Sequence, residues 1–177
     1  MKRFALVPLT VLALVLSAPT AAAATAGPTT DSAEDPASTA AMVQSQVDAY
    51  LAANPGGTQI NETEIAYDDG ALIVTVTAPV GTLATADCPS GWFCFYESPN
   101  FTYPRGRLSD TGWQDLNWWG WRNRTESVHS NTSCTVYFLG ETGATDTVLF
   151  SVAPGRRTRS DVAPYRNQAD YVYRQCA

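Results

Sequence analysis

The sequence predicts a mainly β protein in which two Greek-key units pack face to face as a sandwich. Downstream of Cys88, Gly and Pro separate short β-type runs: WFCFYE, GRLSD, ESVHS, TVYFL, TVLFSV and DYVYRQ. The eight residues from Trp121 are repeated by the eight from Tyr165, and both copies read aromatic-Arg-Asn-x-small-acid-x-Val. An aromatic strand precedes each copy. Because one four-stranded unit cannot bury its apolar face alone, the two halves are expected to cover each other.

The first residues predict a secretory signal peptide over residues 1–26. Lys2 and Arg3 precede an apolar run that ends at Ala18, and small residues suited to cleavage follow. A membrane helix is the alternative, but the run is too short to span a bilayer comfortably, and nothing later approaches a span. We therefore expect an extracellular protein with no membrane partner.

Two segments separate the signal peptide from the β-rich part. Residues 27–38 form a polar Pro/Ser/Thr linker that cannot bury a core. Residues 39–80 predict a helix capped by Ser38 or Thr39, then a β-hairpin whose turn contains Asp68-Asp69-Gly70. One helix and one hairpin are marginal alone, so this module is expected to lean on the domain predicted over residues 88–177.

Four cysteines in a secreted chain predict two disulfides. The sequence allows three pairings. Cys88–Cys94 and Cys134–Cys176 are favoured, because closing the short turn costs least and the longer bridge removes more freedom from the unfolded chain. A zinc site is the alternative, although the Cys-x5-Cys spacing is loose for zinc and His129 is the only histidine.

Charge and motif content argue against several function classes. The chain has a net charge of −6, and residues 27–87 contain no Lys or Arg, so no basic field exists to bind nucleic acid. No nucleophile-elbow motif accompanies His129, and no spacing selects a pair of catalytic carboxylates. We expect no enzyme activity, no catalytic residue and no cofactor.

The stretch WQDLNWWGW concentrates four tryptophans within nine residues. Large aromatic side chains supply most of the apolar area of a small core, so packing is the simpler interpretation. An exposed aromatic face for a polysaccharide or protein is the alternative. Adjacent Trp118 and Trp119 would point to opposite faces of a strand, which leaves one accessible. This cluster supports an alternative function as a cell-envelope or carbohydrate-binding module.

The stretches CPSGWFCFYESPNF and GWQDLNWWGWRNRTESVHSNT resemble a family of secreted actinobacterial peptidase inhibitors with a βγ-crystallin-like fold, of the Streptomyces metalloproteinase inhibitor type. The resemblance implies a βγ-crystallin-like double Greek-key sandwich, here preceded by the small helix-plus-hairpin module. It also implies that the partner is a secreted protease, in particular a metalloprotease, bound by a rigid exposed loop.

The sequence departs from this family where the inhibitory loop is concerned. The type inhibitor ties its loop with a close second cysteine pair, whereas Cys134 and Cys176 lie far apart. Residues 98–106, 140–145 and 153–160 remain as candidate exposed loops. The candidate partner-binding residues are Tyr103, Trp118, Trp119, Arg156 and Arg157.

Many microbial crystallin-like domains bind calcium through paired Asn or Asp residues near a Ser/Thr-Ser pair. Here Arg122 and Arg166 stand at the first position of the two matching stretches. A guanidinium opposes a hard cation that needs several oxygen ligands. Glu126 and Asp170 either compensate for these arginines or pair with them. We expect weak or no calcium binding.

Overall fold

A computed structural model describes residues 35–79, 85–143 and 145–177. The predicted signal peptide and residues 27–34 of the predicted linker lie outside this part of the chain. The described residues contain one long α-helix, α1 (Pro36–Ala53). The strands follow in the order β1 (Thr58–Gln59), β2 (Glu64–Tyr67), β3 (Leu72–Thr75), β4 (Phe93–Ser98), β5 (Thr102–Leu108), β6 (Gly112–Asp115), β7 (Ser127–Thr132), β8 (Thr135–Thr142), β9 (Thr145–Val152), β10 (Gly155–Arg159) and β11 (Tyr171–Gln175).

Two antiparallel sheets contain these strands. The first has the order β1-β2-β3-β5-β4-β7-β10, and the second has the order β6-β11-β8-β9. Each Greek-key half, β4–β7 or β8–β11, sends its third strand into the sheet of the other half. β6 pairs with β11, and β10 pairs with β7. This exchange confirms the predicted βγ-crystallin-like double Greek key.

The predicted helix-plus-hairpin module is not a separate unit that precedes the sandwich. Strand β3 pairs with β5 through four residue pairs, from Leu72↔Leu108 to Thr75↔Arg105, so the hairpin extends the first sheet. Val47 and Tyr50 of α1 are buried in the same apolar core as the strands. Boundaries at residues 80 and 88 therefore do not separate two folding units. The module leans on the domain as expected, because neither its helix nor its hairpin can bury an apolar face alone.

The helix begins at Pro36, inside the predicted linker and before the predicted caps Ser38 and Thr39. Asp35 is the N-cap, and its Oδ1 accepts a hydrogen bond from the Ala37 backbone N–H at 3.1 Å. Proline suits the first helical position because its missing N–H would have no partner there. Within the described ranges, no helix combines the length and the apolar character needed to cross a membrane.

Strand β4 separates two apolar clusters by simple alternation. Phe93 and Phe95 face the main core, while Cys94 and Tyr96 face a smaller cluster on the opposite side. Phe95 packs edge-on against Trp121, with ring centroids 4.8 Å apart. Its strand partner is Gly106, where an added Cβ would lie 2.3 Å from the Phe95 ring. The core therefore requires a residue without a side chain at position 106.

The sequence repeat lies where the two Greek keys meet. Asn123 and Asn167, at equivalent positions of the two copies, have φ of 56° and 54°. The Asn123 N–H donates to the Ala169 carbonyl at 2.9 Å, and the Asn167 N–H donates to the Thr125 carbonyl at 3.1 Å. Asparagine tolerates this left-handed conformation better than most residues. The repeat thus joins the two halves by reciprocal backbone hydrogen bonds.

His129, at the centre of β7, is fully buried. Its Nδ1 accepts a hydrogen bond from the Cys88 backbone N–H at 2.9 Å. Burial, together with the charge of Arg156, lowers the pKa of this imidazole below its ordinary value of 6.5. A protonated Nδ1 could not accept the bond from Cys88. The hydrogen bond from Cys88 in the folded state therefore requires the neutral form of the His129 imidazole.

We predict that Gly106→Ala lowers the free energy of unfolding by about 1–3 kcal/mol, because the new methyl group overlaps the Phe95 ring. Chemical denaturation measures this loss. In a Phe95→Leu background the same glycine substitution should cost less. An equal cost in both backgrounds would contradict the steric explanation.

We predict that the folded state loses stability as the pH falls from about 7 to about 5. The unfolded chain takes up a proton on His129 near its ordinary pKa, whereas the folded chain resists protonation until a lower pH. The stabilisation is therefore present above the unfolded pKa and is lost below it. Denaturation at the two pH values measures the effect.

The control for this prediction is His129→Gln, which keeps an acceptor near Cys88 but cannot titrate in this range. His129 is the only histidine of the sequence, so the variant should remove most of the pH dependence whatever its own stability. An unchanged dependence in the variant would rule out His129 as its source.

Candidate functional site

The favoured disulfide pairing is confirmed, since Cys88 is bonded to Cys94 and Cys134 is bonded to Cys176. The turn closed by the first bridge binds strand β7 directly. Gly91 N–H donates to the Asn131 carbonyl at 2.8 Å, and Asn131 N–H donates to the Trp92 carbonyl at 2.9 Å. The Asn131 side chain donates to the Cys88 carbonyl at 2.9 Å. The CPSGWFC turn therefore fixes one stretch of β7.

Strand β10 lies on the other side of β7, at the end of the first sheet. Residues 153–160, predicted as a loop, are largely this strand, and its five residues pair in register with β7 from Gly155↔Thr132 to Arg159↔Val128. The loop interpretation was wrong because an edge strand exposed on both faces shows no apolar alternation. After the strand, the Ser160 carbonyl accepts a hydrogen bond from Asn100 N–H at 2.7 Å. β10 is thus extended and held along its length and at its end.

The outer edge of β10 has no strand partner among the described residues. Every residue from 153 to 161 is exposed. Arg156, Arg157 and Arg159 form no ion pair with any carboxylate in the described part of the chain. We call Gly155–Arg159 the arginine strand. In a chain of net charge −6, it is an accessible, unneutralised basic edge.

The arginines outside this strand are mostly paired with acids. Arg105 contacts Asp87 at 2.8 Å, and Arg124 contacts Glu97 through two hydrogen bonds of 3.0 Å. These pairs lie under or between the strands and satisfy their own charges. Only an unpaired arginine can offer its full donor set to a partner.

Residues 98–106 are less available than the sequence predicted. The Tyr103 hydroxyl donates to Asp87 Oδ2 at 2.7 Å, and Asp87 also accepts from Tyr96 at 2.8 Å. Partial burial opposes ionisation of Asp87, but the hydrogen bond from Tyr103 and the charge of Arg105 outweigh it and hold the pKa of the carboxyl below its ordinary range. Tyr103 is therefore half-buried in a polar network, and the structure assigns its hydroxyl to that network.

Residues 140–143 and 145 belong to the hairpin between β8 and β9, and Ala144 lies outside the described residues. Gly140 is buried, while Glu141 and Thr142 are exposed. Glu141 Oε2 is bound to Arg122 at 3.1 Å. This turn is exposed but short, and its acid is already engaged.

The two adjacent tryptophans are placed differently. Trp118 is 59% exposed, as a partner-binding residue must be. Trp119 is 2% exposed, and its indole N–H donates to Asp68 Oδ2 at 2.7 Å. Trp119 is therefore a core residue and not a partner-binding residue. The pair lies in a 3₁₀ turn over Leu116–Trp119, not in a strand, and this turn directs one ring inward.

The two arginines at the calcium-like positions are both paired with carboxylates. Arg122 binds Asp115 through two hydrogen bonds of 2.9 Å. Arg166 binds Asp161, and this hydrogen bond lowers the pKa of the Asp161 carboxyl to about 2. Each guanidinium thus binds a carboxylate that a cation would need as a ligand. No group of three or more His, Cys, Asp or Glu side chains suited to a metal occurs in the described ranges.

Two features of the arginine strand were missed at the sequence level. Arg159 belongs to it, and its guanidinium lies 5.3 Å from the centre of the Phe150 ring. Asn131, which the sequence analysis did not single out, anchors β7 to the disulfide turn. The alternation of Arg157, Thr158 and Arg159 was the available signal for a strand.

Part of the chain is similar to a known protein family. Residues 81–148 match the model of peptidase inhibitor family I36. No curated protein matches the chain. Among solved structures, the NMR structure of spherulin 3A from Physarum polycephalum is similar, with 9% identity, 59% of this chain and 95% of that chain covered, and a TM-score of 0.41.

The family match spans β4 to the middle of β9, which includes the disulfide turn and the tryptophan cluster. The arginine strand lies beyond it. The resemblance predicted from CPSGWFCFYESPNF is confirmed over this segment. Residues 81–148, fewer than half of the chain, are therefore similar to peptidase inhibitor family I36.

Proposed function

We propose that this protein is a secreted inhibitor of metalloproteases and that the arginine strand is the segment it presents to the protease. The metalloprotease target rests on the resemblance to the Streptomyces metalloproteinase inhibitor type. The observation that carries the choice of segment is an extended strand with one free edge and three unpaired arginines.

An extended segment with a free edge suits the way proteins bind peptides in strand form. Backbone N–H and C=O groups along the edge supply affinity, and alternate side chains supply specificity. β10 already has the extended conformation, so binding would not have to order it. The type inhibitor achieves this order by tying a loop with cysteines. Here the equivalent restraint comes from β7 and, through Asn131, from the Cys88–Cys94 turn.

The positive charge of the arginine strand indicates which kind of protease surface would complement it. Arg156 lies on the outer face of the sheet with Asn131, whereas Arg157 and Arg159 lie on the inner face with Ser130 and Val128. Both faces of the strand are thus basic. A cleft bordered by acidic residues would attract it, and charge complementarity raises association rates and suppresses wrong partners. We therefore propose that the target protease has an acidic rim around its cleft.

Secretion is part of the same proposal. Both disulfides are formed in the structure, and disulfides persist in oxidising compartments. The signal peptide expected over residues 1–26 would deliver the chain there. An extracellular location would also bring the inhibitor to secreted proteases.

We predict that the intact secreted chain inhibits a thermolysin-like metalloprotease and that the double variant Arg156→Gln/Arg157→Gln raises the inhibition constant at least about tenfold, or about 1.4 kcal/mol. Titration of protease activity with inhibitor measures this. The intact chain is needed because residues 39–80 belong to the same sheet and core.

The matched control is Thr58→Glu/Thr145→Glu. It changes the net charge by the same two units at exposed positions of two other edge strands, β1 and β9. Equal loss in both double variants would assign the effect to net charge and reject the arginine strand. Inhibition of a trypsin-like protease but not of the metalloprotease would reject the target class. No inhibition of either would reject the inhibitor function itself.

We predict that the protein exported from a bacterial host begins at Thr25 or Gly27, because Ala22-Ala23-Ala24 and Ala24-Thr25-Ala26 both fit a cleavage site. Mass spectrometry of the protein in the culture medium identifies the first residue. A chain that stays in the membrane fraction with Met1 intact would contradict both the cleavage and the secretion.

A further inference from the structure

Three aromatic side chains form a line across the outer face of the second sheet. Trp113 of β6 is paired in register with Tyr173 of β11, and Tyr173 is paired in register with Tyr137 of β8. We call Trp113, Tyr137 and Tyr173 the aromatic row. Residues next to them in sequence, such as Val136, Phe138 and Val172, face the core, so strand alternation points the row outward.

The rings of the row are close together and inclined to one another by modest angles. The centroids of Trp113 and Tyr173 lie 6.2 Å apart at 43°, and those of Tyr173 and Tyr137 lie 6.2 Å apart at 32°. Tyr171 adds a fourth ring, 5.2 Å from Trp113 at 36°. The core pair Phe95 and Trp121, by contrast, meets edge to face at 81°. The rings of the row therefore lie closer to side by side than that pair.

The row is accessible. Trp113 is 44% exposed and Tyr173 is 36% exposed, although a small protein ordinarily uses such side chains in its core. Contiguous exposed apolar patches on proteins commonly mark binding surfaces.

Neutral polar residues lie beside the row at one end. Ser151 is paired with Tyr137, and Thr135 is paired with Gln175, so neutral hydrogen-bonding groups flank the rings on the same face. Beside Tyr171, Arg122 is bound to two carboxylates, Asp115 and Glu141, which leaves one net negative charge there. Nothing here would attract a phosphate or an acidic peptide.

We propose that the aromatic row binds a neutral, β-linked polysaccharide chain that lies across the strands. In such a chain the equatorial hydroxyls project from the ring edges and leave the flat faces lined by C–H groups. These faces stack on aromatic rings, and the edge hydroxyls reach neutral donors and acceptors at the sides. A row of adjacent, modestly tilted rings flanked by neutral polar groups suits a neutral, polyhydroxylated chain. A protein partner would need pockets to anchor its side chains, which this open face does not offer.

This site is independent of the proposed protease-binding strand, because the row lies on the second sheet and the arginine strand lies in the first. A chain that used both surfaces would hold an inhibitor at an insoluble polysaccharide. Each surface can be removed without touching the other.

The test measures depletion of the intact secreted chain from solution by insoluble cellulose and by insoluble chitin. We expect the wild type to bind at least one of them and Trp113→Ala to lower the affinity about tenfold or more. The control is Trp118→Ala, which removes a more exposed tryptophan outside the row. Trp118 packs edge-on against Trp119 at 89°, so its ring is not part of a flat surface. Wild-type binding should survive added salt, since no charge is involved.

Tyr173→Ala serves as a second variant in case Trp113→Ala does not fold, and thermal unfolding reports on both. Inhibition of the protease should be unchanged in either variant, which separates this proposal from the previous one. Binding that is lost in Trp118→Ala but kept in Trp113→Ala would overturn the assignment. So would binding abolished by salt, no binding of the wild type to either polysaccharide, or a concentration-dependent dimer that Trp113→Ala dissociates in place of polysaccharide binding.

Discussion

Reciprocal backbone hydrogen bonds between the two sequence repeats set the arrangement of both Greek keys. Asn123 donates to the second repeat and Asn167 donates to the first, and both adopt a left-handed conformation to do so. Thr125 and Ala169, which accept these bonds, are completely buried. Buried backbone groups must be paired, so neither repeat can take this shape without the other. The reciprocity holds the two Greek keys together and lets each send its third strand into the opposite sheet.

That strand exchange explains how a chain without a tied loop can still present a rigid segment. β10 belongs to the second Greek key but completes the first sheet, where β7 holds it along five residues. β7 is in turn bound to the CPSGWFC turn through Asn131 and, through buried His129, to the Cys88 backbone. The disulfide turn thus restrains the arginine strand indirectly, through β7. A disulfide-closed turn that is bound to β7 can therefore also order β10, because β10 is hydrogen-bonded to β7 along its whole length.

The distribution of charge and of aromatic rings separates scaffold from surface. Arg105, Arg122 and Arg124 bind carboxylates within the fold, whereas Arg156, Arg157 and Arg159 of the exposed edge strand β10 form no ion pair with the described residues. Trp119 and Trp121 fill the core, while Trp113 joins a row of tyrosines on the outer face of the second sheet. The fold therefore carries two chemically distinct surfaces, one basic and extended, the other aromatic and neutral. They lie on different sheets, so the two proposed partners, a protease and a polysaccharide, would not compete for one site.

Local patterns and a repeat in the sequence predicted the sandwich, and the number and spacing of the cysteines favoured one of three pairings, which the structure confirms. The sequence also predicted a hairpin over the stretch from Glu64 to Thr75, since turn chemistry is local. Three further features came from long-range packing: this hairpin extends the first sheet, residues 155–159 form a strand, and Trp119 is buried while Trp113 is exposed. Strand partners far apart in the chain and the direction of each ring depend on which surfaces meet across the core. That information belongs to long-range packing, and no local pattern contains it.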